Sequence, residues 1–241
     1  MGNVPKIYAD AGHDNKGKDP GAVKFVTEGK VNVKVVNYMC EELEKTYVCE
    51  VYKDITADST ASIAKKANKW GADLFISVHF NAGKGNGYEA WLYSEENKKL
   101  GKCFEKQVKA VGQNSRGLKY SKELNVLRLT TMPAILNEIA FVDNKKDISD
   151  WDENAELKVM GIALAKAAAD YLNLEKKKTE FKVKVTVKSL KVRRGPGVFY
   201  SVKSKIKDKG IYTIVEQKGN WGKLKSGAGW INVSSRYCKK V

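Results

Sequence analysis

The chain has 241 residues, 42% of them hydrophobic and 30% charged, a balance that excludes a disordered polymer. No run approaches the ~18 apolar residues that a spanning helix needs, so no membrane insertion is expected. The net charge of +16 is uneven: residues 179–241 carry 16 Lys and Arg against 3 Asp and Glu, while residues 1–178 carry 28 against 25.

In chain order, IYADA (7–11) reads as an apolar strand that stops at Gly12 and delivers His13 into a loop of Lys, Gly, Asp and Pro. From Glu28, the spacing of Val31, Val35, Tyr38, Met39 and Leu43 predicts a helix. VCEVY (48–52) is short and β-rich, and Asp58 or Ser59 is placed to cap a helix running through Ala72. LFISVHF (74–80) is a continuous apolar strand. Residues 88–93 form another strand, 95–111 a helix, AILNEIAF (134–141) a strand and 153–172 an amphipathic helix. This alternation predicts an α/β domain with a mixed, largely parallel sheet flanked by helices.

The pattern breaks after Leu174 into a charged stretch, EKKKTE. Beyond it come brief strand-like runs with Gly and Pro turns (VKVTV, LKVRRGPG, GIYTIVEQKGNWGKLK, GWINV), which predict a small all-β barrel or sandwich. The expected domains are therefore 1–174, a linker over 175–181, and 182–241. The scattered Cys40, Cys49, Cys103 and Cys238 have no C-x-x-C spacing, so reduced thiols are expected rather than a disulfide or cysteine-zinc framework.

Ligands of largely parallel sheets gather beyond the carboxyl ends of the strands. His13 follows the first strand, His79 ends LFISVH, Glu138 lies late in AILNE, and Glu28 opens the first helix on the same rim. Two imidazoles and one carboxylate are a frequent ligand set for catalytic zinc, and a second carboxylate can take a proton from water. Spacing leaves open which carboxylate does which. Each residue also has a plain structural reading: a hydrogen-bonded histidine, or for Glu28 an acid favoured at a helix start. That reading is weakest for Glu138, because an acid inside an apolar strand costs several kcal/mol unless paired. Asn81, just after His79, is a candidate for orienting substrate.

DAGHDNKGKDPGA, TEGKVN, FISVHFNA and NVLRLTTMPAILNEIAFVDN, in that order over about residues 4–173, resemble the motif series of zinc-dependent N-acetylmuramoyl-L-alanine amidases of the amidase-3 family. Asp14-Asn15 stands where the family usually has Gly-Gly, and Ala140-Phe141 where it has Gly-Phe. The resemblance implies a phosphorylase/hydrolase-like fold, one zinc per chain on His13, Glu28 and His79, and Glu138 as catalytic acid/base. The implied substrate is the amide joining N-acetylmuramic acid to L-alanine in peptidoglycan.

The tail resembles bacterial SH3 cell-wall-binding modules, with Tyr200, Trp221 and Trp230 as candidate wall-binding residues. Its basicity suits anionic wall polymers, and no nucleic-acid partner is expected. The whole resembles phage or prophage endolysins of Gram-positive bacteria. No apolar signal stretch precedes the first strand, so the expectation is a monomer made in the bacterial cytoplasm that reaches the wall once the membrane is opened. The alternatives are a secreted autolysin of the same activity, a zinc peptidase cutting within the stem peptide, and a non-catalytic wall- or polyanion-binding protein.

Overall fold

A computed structural model describes residues 3–14, 16–56, 58–177 and 180–241. Asn15, half of the Asp-Asn departure, and residues 178 and 179 of the expected linker lie outside this set. The chain divides into two compact units, Met1–Lys176 and Lys177–Val241.

In the first unit the elements run β1 (Lys6–Ala11), α1 (Glu28–Thr46), β2 (Glu50–Asp54), α2 (Thr60–Trp70), β3 (Leu74–Asn81), β4 (Tyr88–Leu92), α3 (Lys98–Ala110), β5 (Ser115–Tyr120), α4 (Asn125–Arg128), β6 (Ala134–Phe141), α5 (Lys145–Ile148) and α6 (Asn154–Leu172). The six strands form one sheet in the order β2-β1-β3-β6-β4-β5, parallel throughout except where β4 meets β6. Ser59 caps α2 by accepting from the Ser62 N–H, and Gly71 ends it in the left-handed conformation. The expected helix over 95–111 is a short 3-10 turn, Glu95–Asn97, leading into α3. Strand β2 begins two residues later than VCEVY, and β5 is a strand the sequence did not signal.

Side-chain alternation divides the sheet's two faces. Leu74, Ile76, Val78 and Phe80 of β3 join the large core under α1, α3 and α6. Phe75 of β3, Tyr8 of β1 and Ala134 and Leu136 of β6 pack instead with Ile63 and Ala67 of α2 and Val126 and Leu127 of α4. Those two short helices cover only part of that face. The next positions along β1, β3 and β6 with the same orientation are polar: Asp10, Ser77, His79 and Glu138.

In the second unit, β7 (Phe181–Val185), β8 (Leu190–Arg193), β9 (Val202–Ile206), β10 (Ile211–Lys218), β11 (Trp221–Leu224), β12 (Trp230–Asn232) and β13 (Cys238–Lys240) form an all-antiparallel sheet in the order β13-β7-β10-β11-β12-β8-β9. Val183, Val185, Leu190, Val192, Ile214, Leu224 and Ile231 make its core. Residues 175 and 176 of the expected linker belong to the first unit. The Val48 N–H donates to the Glu175 carbonyl, and Tyr47 bridges Lys176. All four cysteines are free.

Candidate active site

His13, Glu28 and His79 converge, with one ligand atom from each lying within 4.8 Å of the others. His13 leaves β1 in the left-handed region, at φ 64°. Its ring is held by Asp19, whose Oδ1 accepts from Nδ1 at 2.8 Å, which leaves Nε2 facing Glu28 Oε1 at 3.5 Å. Asp14 organises the loop between them: its Oδ1 accepts from the N–H groups of Lys16 (2.8 Å), Gly17 (2.7 Å) and Lys18 (3.2 Å). Here a carboxylate supplies the turn that paired glycines would otherwise allow.

Glu28 stands at the start of α1 and is 5% exposed. Its Oε2 accepts from the Ala22 N–H at 2.8 Å, and its Oε1 accepts from His79 Nδ1 at 3.0 Å and from the Phe80 N–H at 3.3 Å. Burial pushes this carboxyl up, but His79 and the backbone donor outweigh it and hold it below the ordinary glutamate range. Backbone approaches the ligands closely from two sides. A Cβ at Gly12 would overlap the His79 ring, and one at Gly21 (φ 66°) would meet both Glu28 Oε2 and the His13 ring.

The donor set fits a divalent metal of the zinc type. Zinc bound tetrahedrally at ~2.0–2.2 Å from each donor spaces its ligand atoms about 3.3 Å apart. The 3.5 Å and 3.0 Å separations of Glu28 Oε1 from the two imidazoles bracket that value. The Asp19 bond to His13 Nδ1 is the kind of outer contact that fixes the tautomer of a ligating histidine.

Glu138 pairs in register with His79 across β3 and β6, and with Glu89 across β6 and β4. Its Oε2 is buried without a hydrogen-bond partner. Burial, joined by the charges of Glu28 and Glu89 and opposed by His79, pushes its carboxyl up to about 7. Two carboxylates directly opposite on a sheet repel. Glu89 is held in place beside Glu138 by three donors: its Oε1 accepts from Arg116 Nε at 2.7 Å and its Oε2 from Asn81 Nδ2 and Trp91 Nε1, both at 3.2 Å. Asn81 thus has its side chain engaged within the protein, its Oδ1 also accepting from the Ala82 N–H. On the other side of the histidines, a cavity of about 190 Å³ opens over Asp10, Thr56, Asp58, Leu124 and Asn125. Asp10 is 1% exposed; its Oδ2 accepts from the Ser77 hydroxyl at 2.6 Å, and burial pushes it up to about 6.

The sequence by itself gives no role to Asp10, Asp19, Glu89 or Arg116. Asp10 had a visible signal, an acid inside an apolar strand, whereas the other three are ordinary surface residue types until pairing brings them in.

The three aromatic candidates of the tail do not form one surface. Trp221 lines a groove of about 230 Å³ with Arg193, Val198, Asn232 and Tyr237. Trp230 is 7% exposed, with the Lys218 ammonium 5.7 Å from its ring centre. Tyr200 is half-exposed and lies against Gly195, outside the groove's lining. Phe199, fully exposed, was not among the candidates.

Residues 7–170 match the family model described as N-acetylmuramoyl-L-alanine amidase. The endolysin of Bacillus phage SPP1 is 35% identical over 187 residues, spanning 71% of this chain and 67% of the relative. The N-acetylmuramoyl-L-alanine amidase CwlM of Bacillus licheniformis is 33% identical over 180 residues, 71% of this chain and 70% of the relative. Among solved structures, the catalytic domain of the amidase CwlV from Bacillus (Paenibacillus) polymyxa var. colistinus superposes with a TM-score of 0.66 at 26% identity, covering 71% of this chain and all of that one.

Proposed function

The chain belongs to the N-acetylmuramoyl-L-alanine amidase family, and from that membership we propose that it hydrolyses the lactyl-L-alanine amide of peptidoglycan with one zinc held by His13, Glu28 and His79. The observation that carries the reading is the buried, unpartnered Oε2 of Glu138 on the strand beside His79. Zinc in this ligand set supplies a Lewis acid that acidifies a water and polarises the scissile carbonyl.

The protein's own groups do the rest. Glu28 brings one negative charge against two neutral imidazoles, and Asp19 holds His13 in the tautomer whose Nε2 lone pair is free. Glu138 accepts the proton of the attacking water at Oε2 and returns it to the nitrogen of the departing L-alanine. A carboxyl near neutral pKa is suited to both halves of that exchange. Burial raises it, His79 opposes that rise, and the charges of Glu28 and Glu89 add to it.

The second unit is read as a tether. Its excess of positive charge draws it to anionic wall polymers, and its aromatic groove supplies a contact that salt does not screen. Action on the wall as an endolysin, after the membrane is opened, follows the likeness to the phage relative. Among the described residues no helix is long and apolar enough to cross a membrane.

Mass spectrometry of digested sacculi tests the central claim. New L-alanine N-termini with free muramic lactyl carboxyls are expected; cuts confined to the stem peptide would place the protein among peptidases.

A further inference from the structure

Four adjacent strands present a single row of polar chemistry on one face. It passes from His79 on β3 through Glu138 on β6 and Glu89 on β4 to Arg116 on β5. The catalytic reading uses the row only as far as Glu138, and its far end is a cation held in a fixed pose. Arg116 Nε donates to the buried Glu89 at 2.7 Å, and the guanidinium lies 5.3 Å from the centre of the Phe141 ring. Its two terminal amino groups take no protein partner among the described residues, and the side chain is 42% exposed. A guanidinium anchored through Nε and stacked on an aromatic ring keeps its outer edge free, and that edge matches a carboxylate in bidentate fashion.

We propose that Arg116 forms an anion subsite that receives a carboxylate of the stem peptide, within the first three residues beyond the scissile amide. This rests on the amidase reading and adds to it the direction in which substrate lies. The row places Arg116 two strand spacings from Glu138, on the order of 10 Å, and an extended peptide covers that distance in about three residues. The glycan side of the substrate carries hydroxyls and amides, and its stem peptide carries the acids. On the opposite side of the histidines the cavity is walled by Asp10, Asp19 and Asp58 together with the neutral Thr56 and Asn125. Lys66 there is already paired with Asp54 and Asp58. An anionic peptide meets carboxylates on that side and an open guanidinium edge on the other. The neutral sugar then lies over the cavity and the peptide over β4 and β5. Glu89 is a positioning residue in this scheme: it fixes Arg116 and does not itself meet substrate.

The test uses the full chain loaded with zinc and two soluble muramyl peptides that differ only in bearing a carboxylate or a carboxamide on the residue after L-alanine, with a second pair varied at the third residue. For the wild type, kcat/KM on the carboxylate member of at least one pair should exceed that of its carboxamide partner by about ten-fold or more, as expected for a charge-assisted hydrogen bond. R116Q should bring the two members level, by raising KM for the carboxylate substrate with kcat nearly unchanged. R116K, which keeps a point charge without the fork, should keep part of the preference. R128Q, which alters the cation bonded to Asn125 beside the cavity, should leave the preference intact. Preference unchanged in R116Q, an equal fall on both members of a pair, or loss of preference in R128Q instead would each overturn the subsite. Failure of the wild type to cut either peptide at the lactyl amide would overturn the amidase reading itself, and the subsite with it.

Discussion

His79 and Glu138 occupy partner positions on the neighbouring parallel strands β3 and β6, so a metal-type ligand and a buried carboxyl share one face of the sheet. Nothing but strand pairing separates them, and the pairing is held by the apolar register below: Phe75 against Ala134 and Ile76 against Ile135. Glu138→Gln preserves this geometry and removes only the proton acceptor. It should retain zinc and wall binding while losing lytic activity by about 10²–10⁴-fold, the usual worth of general acid–base catalysis. Turbidity loss of a wall suspension, measured beside zinc content, checks it. Retained lysis would remove the catalytic role, and loss of zinc from this variant while Glu28→Gln keeps it would show that the two glutamates have exchanged roles.

Metal content separates the ligands from their support. His13→Ala and His79→Ala should each abolish stable zinc binding, because two protein donors do not hold a catalytic site. Asp19→Asn should keep zinc but weaken it by ~10–100-fold, the typical cost of losing the outer partner of a ligating histidine. Competition with a chromogenic chelator reads both, and full occupancy in His79→Ala would refute the assignment.

Acid stability should depend on Asp54, away from the ligands. Burial pushes its carboxyl up, but Lys66, Thr56 and Tyr8 bond to it and hold it below the ordinary aspartate range. Because the folded protein binds this proton less readily than the unfolded chain, the stabilisation is fully present above the unfolded value of about 3.9. It is lost as pH falls further, through the folded value. Asp54→Asn should cost about 1–3 kcal/mol at pH 7, with the gap to wild type closing below pH ~4. Thermal melts from pH 7 down to 3 measure it; a gap that widens on acidification would contradict the sign.

The tail should act on affinity and not on chemistry. A chain ending at Lys176 keeps every proposed catalytic residue, so its rate on a small soluble muropeptide should match that of the full chain. On intact walls it should be slower, since a tether raises local concentration without new contacts at the bond. The isolated second unit should sediment with purified walls at low salt and be partly released at 1 M, where the Debye length falls to ~3 Å. Replacing Trp221 by Ala should lower the salt-resistant fraction. No sedimentation even at low salt would remove the wall-binding role.

Legible in the sequence alone were the alternation of strands and helices, the change of pattern near residue 175, and His13, Glu28, His79 and Glu138 as candidates on one rim of the sheet. Those features are local: an apolar run ends, and a histidine or glutamate stands where it ends. The chain has only two histidines, and both stand at such ends. Three matters depended on pairing between distant segments, and only the tertiary structure decided them. Strand β5, SRGLKY, lies at the sheet's edge with no fully buried residue, so it carries no apolar alternation by which to detect it. The sheet order, with β4 antiparallel to β6 and parallel to β5, is what sets Glu89 opposite Glu138 and brings Arg116 to it. In the tail, Trp221 and Trp230 are both aromatic and both follow glycine-rich turns, yet one lines a groove and the other is buried. Which face a side chain meets depends on strand register, and a register is a relation between segments that neither segment contains.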